Sequence, residues 1–594
     1  MMGAEMNATL SSARKHVIGD SGGNFNQNIY LTFEGVAQKQ PSKTAVVVPI
    51  IHHQREVRSY QYYSFGDLLL STRKYANGFL SAGLKPNMKA LVFIKPGVEL
   101  ISIAFALAKI GIVPVLIDAG IGVRNVLDCV RQAKPDILIG IPQAFVLKIF
   151  NHQAFNSVKF NFIDTGHCML SSYTPLQQIR DSDDSEGYTH PRDAKDLTFL
   201  LFTSGSTGAP KGVVYTPSIF QGQLDTLRSA FSLTPEDVDM PIIPALVIGT
   251  LCLGMRVVIP PINPLKPTSM NPKVIAKVVN DCGVTFSFGS PAVWGKIARF
   301  CVDNGIHFPK LKQLLVAGAP SSATTLRLFR KIVPNGRFYT PLGATECTPI
   351  TTISSEEIDE TVLSRQQSGG GFCVGRPTRN HTIKAIGITD DDVPTISEAK
   401  ILGEGSIGEI IVKGPVVTKL YYENKLATRK AKIYESNGEV WHRTGDVGYF
   451  DDQGRIWFCG RKAHICNYGD ETYYSVKVEY CFNGLAGINR VALVNISLDG
   501  QKVLALCIEP TQRFMGPTAR RTIVTDIVQV ARCYRIPLRV IAFHPGQFPV
   551  DKRHHAKIER HLLAKWAQDS LTGLRYKWNI YRISVSEQTS IASR

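Results

Sequence analysis

Neither a Cys-x-x-Cys pair, nor a His/Cys group at zinc spacing, nor an internal repeat occurs in the 594 residues. The twelve cysteines are scattered, which excludes a zinc ribbon and a sequence-readable disulfide framework and suits reduced thiols in a cytosolic protein. The opening MMGAEMNATLSSARKHV lacks the apolar core of a secretory signal. One stretch, ELISIAFALAKIGIVPVLID (99–118), approaches membrane-spanning length, but Lys109, Gly111 and Pro114 interrupt it. It splits better into a buried helix followed by a buried strand, so no transmembrane segment is expected, while peripheral attachment to a membrane stays open. Acidic charge falls short of basic: 49 Asp+Glu against 67 Lys+Arg leave a net +18. That surplus suits either an anionic partner or a well-solvated basic surface. Without a long Lys/Arg run to concentrate it, nucleic acid is not the expected partner.

What is present is length and alternation. A chain of this size exceeds a single core, so two or more domains are expected. KALVFIK, PVLID, DILIGI, LTFLLFT, QLLVAG and GEIIVKG read as strands. LLLSTRKYANGFLSAG and SSATTLRLFRKIV read as helices, the second capped at Pro320 and Ser321 or Ser322. Strands alternating with helices imply an α/β protein with parallel sheets covered on both faces. Near Gly460 the texture changes to a polar segment followed by shorter elements. The division expected is a polar leader (1–30), a large N-terminal domain (31–459), a hinge (460–464), a smaller C-terminal domain (465–575) and a basic tail (576–594).

Between two apolar runs lies LLFTSGSTGAPKGVVYT (200–216). Thr203, Ser204, Ser206 and Thr207 supply hydroxyls, Gly205 and Gly208 let the backbone turn its amides inward, and Lys211 adds a point charge. Together these can wrap a polyphosphate. The loop is not a Walker A sequence, because Pro210 stands where the second glycine would be needed. Further along stand VAGAP, with Gly318, Ala319 and Pro320; YTPLGATECTP, with Gly343, Ala344, Thr345 and Glu346; HRTGDVGYFDDQGRIWFCGRK, with Asp446 and Arg461; and FPVDKRHHAKIER, with Lys557. A glutamate suits a hard cation bridging phosphates, and an acceptor-only carboxylate suits a pair of hydroxyl donors.

In this order the segments resemble the motifs of the adenylate-forming superfamily of acyl-CoA synthetases, luciferases and peptide-synthetase adenylation domains. The resemblance implies two helix-flanked, largely parallel sheets plus a small β-barrel-like subdomain in the large domain, with the small α+β domain as a mobile lid. It implies ATP and Mg2+ as cofactors. The 203–211 loop would then hold phosphates, Gly318–Pro320 would lie against adenine, and Gly343, Ala344 and Thr345 would contact nucleotide. Glu346 would hold the metal, Asp446 the ribose hydroxyls, and Arg461 ribose or phosphate. Lys557, Glu346 and Thr203 are the catalytic candidates. Leu342 departs from the pattern, since an aromatic residue usually precedes the glycine of the second motif. The post-hinge segment also departs: Ala463 and Asn467 replace an aspartate and a lysine, and the glycine is displaced to Gly469.

VLIDAGIGVRNVLDCVRQAKPDILIGIPQA, FGSPAV and FPVDKRHHAKIERHLLAKWA, taken with the loop and hinge motifs, resemble more narrowly the olefin-biosynthesis β-lactone synthetases, often labelled fatty-acid CoA ligases. That resemblance implies a long-chain 2-alkyl-3-hydroxy fatty acid as substrate, whose β-hydroxyl displaces AMP, and work beside other olefin-pathway enzymes. It needs no external thiol, which agrees with the altered post-hinge segment. The alternatives are a fatty acyl-CoA or acyl-AMP ligase using coenzyme A, an amino-acid adenylation enzyme with Asp239 meeting the substrate amine, and a nucleotide-binding protein without turnover. His554 and His555 are histidines placed where a proton acceptor for the hydroxyl would be useful, and Val247 and Ile248 suit either an acyl channel or the core.

Overall fold

The computed structural model describes residues 26–52, 56–165, 173–203, 210–243, 246–512, 516–551, 557–572 and 579–583. Two seven-stranded sheets form the body. The first runs Arg337–Tyr339, Gln313–Val316, Phe286–Gly289, Val238–Asp239, Arg256–Val258, Thr44–His52, Glu56–Ser64, and is parallel except for its last pair. The second runs Thr174–Pro175, Phe160–Ile163, Ile137–Gly140, Lys89–Phe93, Val113–Ile117, Phe199–Thr203, Lys211–Tyr215, and ends likewise in one antiparallel pair. That last hairpin carries the hydroxyl-rich loop.

The near-membrane stretch divides as its interruptions predict, into helix Val98–Lys109 and strand Val113–Ile117. The helix is apolar all round because both sheets use it. Ile101, Phe105 and Ala108 join the core against the first sheet, and Ile103, Ala106 and Leu107 the core against the second. Phe105 stacks on Phe33 of helix Ile29–Lys39, ring centroids 4.0 Å apart. Lys109, which closes the helix, is buried, with Nζ donating to the Thr189 hydroxyl at 2.7 Å and lying 4.6 Å from the Tyr30 ring centroid. Helix Phe65–Ser81 packs beside it, started by a reciprocal cap between Ser64 and Asp67. Helix Ala323–Ile332 starts at Ser322, whose hydroxyl accepts from the Thr325 amide. Among the described residues no helix is long and apolar enough to cross a membrane.

The expected barrel-like subdomain is instead an open sheet. Its path is Leu342–Ala344, Cys347–Thr352, Phe372–Pro377, Ile456–Arg461, Val440–Phe450, Gly408–Lys413, Thr382–Ile386, with Lys432–Tyr434 added against Val440–Phe450. The pairings are antiparallel, and no described pairing joins the two ends into a barrel. GEIIVKG, read as part of the parallel alternation, belongs here, paired antiparallel with Thr382–Ile386 and Val440–Phe450.

After Arg461 a short turn, Lys462–His464, leads to hairpin Ile465–Tyr468/Glu471–Tyr474 and helix Ser475–Cys481. A four-stranded mixed sheet follows, Ile488–Leu498, Gln501–Pro510, Leu538–Phe543, Ile580–Arg582, flanked by helices Pro517–Cys533 and Arg560–Thr572. Ile580–Arg582 comes from the stretch read as a tail and pairs antiparallel with Leu538–Phe543. All eleven described cysteines are free thiols, and Cys533, at the end of its helix, is the exposed one among them.

Asp239 is fully buried in the centre of the first sheet, with Thr250 beside it, and burial pushes its carboxyl up to about 8. The folded state therefore prefers the protonated acid, and its stabilising preference is present below about pH 4 and lost as pH rises through about 8. Asp239→Asn removes the ionisation. We expect the variant's stability advantage to grow by on the order of 4 kcal/mol between pH 4 and pH 7, about three units at 1.36 kcal/mol each. Urea unfolding at both pH values checks it; a constant difference contradicts the assignment.

Candidate active site

The loop hairpin, the Glu346 turn and the segment before Lys432 converge at one place. Thr203 and Lys211 face each other across the mouth of hairpin Phe199–Thr203/Lys211–Tyr215. Ser204, Gly205, Ser206, Thr207 and Gly208 lie outside the described residues. The far strand of the hairpin reaches the third sheet: the Tyr215 phenol donates to the Thr345 carbonyl at 2.5 Å, and Gly212 accepts from the Tyr422 amide at 2.7 Å. Gly343 and Ala344 end strand Leu342–Ala344, and Thr345 and Glu346 form the turn into Cys347–Thr352.

Glu346 is clamped from two sides. Its carbonyl accepts from the Thr418 amide at 2.9 Å, and its Oε1 accepts from the Tyr421 phenol at 2.7 Å. Burial alone would raise its carboxyl; the Tyr421 hydroxyl and the Lys432 ammonium counter that and hold it below the usual carboxylate range. Lys432 is buried, donating to the Thr418 carbonyl, to Thr418 Oγ1 at 3.3 Å and to His442 Nδ1 at 3.1 Å, directly across the strand pair. Burial pushes its ammonium down to about 8, and burial with Lys432 pushes His442 down to about 3. At neutral pH the histidine is therefore neutral, its Nδ1 lying between Lys432 Nζ and the Ala431 carbonyl at 3.2 Å, and Lys432 carries the charge. Lys211 joins the cluster with Nζ 5.2 Å from the Tyr421 ring centroid, and Lys432 Nζ lies 5.8 Å from it.

Asp446 and Arg461 stand opposite each other on adjacent strands, with Nη1 2.7 Å from Oδ1. Arg461 Nη1 also donates to the Thr444 carbonyl at 2.9 Å. Attraction to Asp446, and secondarily to Glu346, raises its guanidinium pKa, so the pair and the Glu346 turn share one electrostatic neighbourhood. On the other side, strand Gln313–Val316 ends beside Gly289, whose carbonyl accepts from the Ala317 amide at 3.1 Å. The next residue, Gly318, has φ of +101°, a backbone that a side chain would strain, so the turn into Ala319 and Pro320 needs glycine there.

Lys557 is not part of this set of contacts. It is exposed, and its amide donates to Asp551 Oδ1 at 2.8 Å while its carbonyl accepts from the Asp551 amide. The bonds that assemble the cluster come from residues 203–461. His554 and His555 lie outside the described residues. Val247 is buried in the core against the first sheet and Ile248 packs on that core. Asp239, a neutral acid at pH 7, is a poor partner for a substrate ammonium.

Tyr215, Thr418, Tyr421, Lys432 and His442 are the residues that sequence reasoning did not single out. Tyr215 ends the strand after the loop, four residues beyond Lys211, and Tyr421 bridges to Val213 on the same strand. Position on that strand was the available signal for Tyr215; Tyr421 meets Glu346 from 75 positions away, and Lys432 meets Thr418 and His442 from 14 and 10.

A Mg2+ ion keeps several waters and takes one or two protein carboxylates together with substrate phosphates. Glu346, ionised and at a turn beside the loop, fits that role, and among the described residues no group of three His, Cys, Asp or Glu forms a protein-only cage.

A model of the AMP-binding enzyme family matches residues 33–422. An olefin beta-lactone synthetase of Xanthomonas campestris pv. campestris is 35% identical over 548 residues, 91% of this chain and 97% of the relative. One from Stenotrophomonas maltophilia is 35% identical over 503 residues, 84% of this chain and 89% of the relative. Among solved structures, an anthranilate CoA ligase in complex with anthranoyl-AMP aligns with TM-score 0.75 at 17% identity, covering 92% of this chain and 99% of that one, a likeness of fold.

Arg461→Met would leave Asp446, 7% exposed, without its cation. We expect a loss on the order of 2–4 kcal/mol in unfolding free energy, partly recovered when Asp446→Asn is added. Denaturant titration of the two single variants and the double variant measures the coupling, and strict additivity would contradict the pairing.

Proposed function

The chain belongs to the AMP-binding enzyme family and is an adenylate-forming enzyme, and from that premise we propose that it activates a long-chain 2-alkyl-3-hydroxy fatty acid with ATP and closes it to a β-lactone with release of AMP. The observation that carries this reading is the extent of the likeness to the olefin beta-lactone synthetases, 91% of the chain, set beside a cluster in which Lys211, Glu346, Asp446 and Arg461 converge.

In this reading the substrate carboxylate attacks the α-phosphate of ATP and pyrophosphate leaves. Both reactants are anions, so the barrier is one of repulsion and orientation. Lys211, Thr203 and the loop residues Ser204–Gly208 hold the β- and γ-phosphates. Gly318, Ala319 and Pro320 lie along the adenine, and Gly343, Ala344 and Thr345 line the nucleotide. Asp446 accepts from the ribose hydroxyls through the oxygen that Arg461 leaves unused, and Arg461 faces ribose or phosphate. Glu346 would hold Mg2+, which when bound would neutralise charge on the phosphates. Lys557 approaches from the C-terminal domain and offsets the repulsion at the reacting oxygens; its seat beside Asp551 makes domain motion part of the cycle. The β-hydroxyl then attacks the acyl carbonyl, its proton passes to solvent water, the C–O bond to AMP breaks with the electron pair leaving on the phosphate, and the four-membered ring closes. AMP is the activated leaving group that ring strain demands. Ala463, in the turn Lys462–His464, and Asn467 and the displaced Gly469, in the hairpin after it, fit an enzyme that needs no thiol acceptor. A cytoplasmic location beside other enzymes handling the same lipid belongs to this reading.

The test is incubation with ATP, Mg2+ and a 2-alkyl-3-hydroxy fatty acid, with and without coenzyme A, and mass analysis of the product. A lactone formed without thiol is expected; acyl-CoA formed only with thiol would replace this reading by that of a ligase. Lys557→Ala should lower pyrophosphate release by on the order of 10²–10³ while sparing ATP binding, and unchanged turnover would contradict the role given to Lys557.

A further inference from the structure

Helix Ser475–Cys481 lies beyond the expected hinge, yet its side chains divide between two cores. Val476 and Tyr480, four residues apart on one face, are buried in the large cluster that covers the first and third sheets. Val478 and Phe482 are buried in the core of the C-terminal domain, with Cys481 packed against it. The body-facing side is tight. Tyr480 lies 5.8 Å from Phe372 between ring centroids, and Lys477 Nζ is 5.7 Å from the centroid of the Tyr449 ring. A Cβ on Gly460 would stand 2.6 Å from Ser475 Oγ, and Gly460 has φ of +138°, which side chains rarely adopt, so glycine suits this seat of the helix start. The other side is held by Glu479, which accepts the Leu493 amide at 2.9 Å and pairs with Arg560 at 2.7 Å, three residues past Lys557.

At the body end of this helix the Tyr480 phenol donates to the Ser321 carbonyl at 2.7 Å in a buried hydrogen bond. Ser321 directly follows Gly318-Ala319-Pro320. A main-chain carbonyl just after a left-handed glycine turn is thus held by a side chain from beyond the expected hinge. A buried carbonyl that loses its donor must find another or shift. The segment that moves with it is the one that the proposed function lays along adenine.

We propose that Tyr480 is a positioning residue for ATP, acting through the Ser321 carbonyl on Gly318–Pro320, with helix Ser475–Cys481 as the element that both domains share. The proposal rests on the adenylation reading above. It accounts for a phenol buried in the body's core on an element whose next face serves the C-terminal domain, where a phenylalanine would satisfy packing alone.

Tyr480→Phe keeps the ring and removes the donor. Val476→Ala loosens the same face and leaves the donor in place. ATP binding with Mg2+ is measured by calorimetry on the full chain, and pyrophosphate release with ATP varied against a 3-hydroxy fatty acid. Tyr480→Phe is expected to weaken ATP binding about five- to tenfold, the range of one buried hydrogen bond, with the loss appearing in KM for ATP rather than in kcat. Val476→Ala is expected to lower the melting temperature and leave ATP affinity within about twofold. Unchanged ATP affinity in Tyr480→Phe, or an equal loss in Val476→Ala, overturns the positioning role while leaving adenylation intact. Failure of the parent chain to bind ATP overturns the adenylation reading and the positioning role with it.

Discussion

The hydrogen bond from the Tyr421 phenol to the Glu346 carboxylate is the contact on which the site depends. Glu346 belongs to the open third sheet, while Tyr421 bridges to Val213 on the last strand of the second. A carboxylate drawn into a protein interior would ordinarily take up a proton. Here the phenol and the buried Lys432 ammonium keep it ionised, and Thr418 serves both, donating its amide to Glu346 and accepting from Lys432 through its carbonyl and hydroxyl. Loss of either partner would change the charge of the turn as well as its shape.

The same logic runs through the buried charges elsewhere. Arg443 and Glu409 form an almost wholly buried pair across strands Val440–Phe450 and Gly408–Lys413, and the guanidinium also donates to the Asp391 and Thr389 carbonyls. Lys109 has a hydroxyl and an aromatic face rather than a carboxylate. A buried cation costs least when each of its donors has an acceptor; Lys432 has three, two from Thr418 and one from His442, whereas Lys109 sets its ammonium between one hydroxyl and a ring face. Asp239 meets the problem by staying protonated.

Much of this architecture was legible in the chain. Strands such as QLLVAG and DILIGI are short apolar runs bounded by turns, and a strand buried on both faces needs little else. Helix Val98–Lys109 could be separated from a membrane span because a lysine, a glycine and a proline mark its end and the strand that follows. The barrel-like subdomain failed because closure is a matter of whether the two end strands pair, which local alternation does not encode. At the site, motif residues such as Glu346 and Asp446 stood out by their company, whereas Tyr421, Lys432 and Tyr480 stand among ordinary neighbours. They become informative only when chain segments tens to hundreds of residues apart are brought together. Tyr480 shows this best, since its partner Ser321 is 159 positions away.

The cysteines have a practical consequence. Ten of the eleven described thiols are buried or half-buried, several with pKa values pushed well up by burial, while Cys533 ends a surface helix of the C-terminal domain. A thiol-selective dye would find its most accessible described target on that domain. The protein thus offers a native attachment point through which fluorescence would report on the surroundings of that domain without an engineered handle.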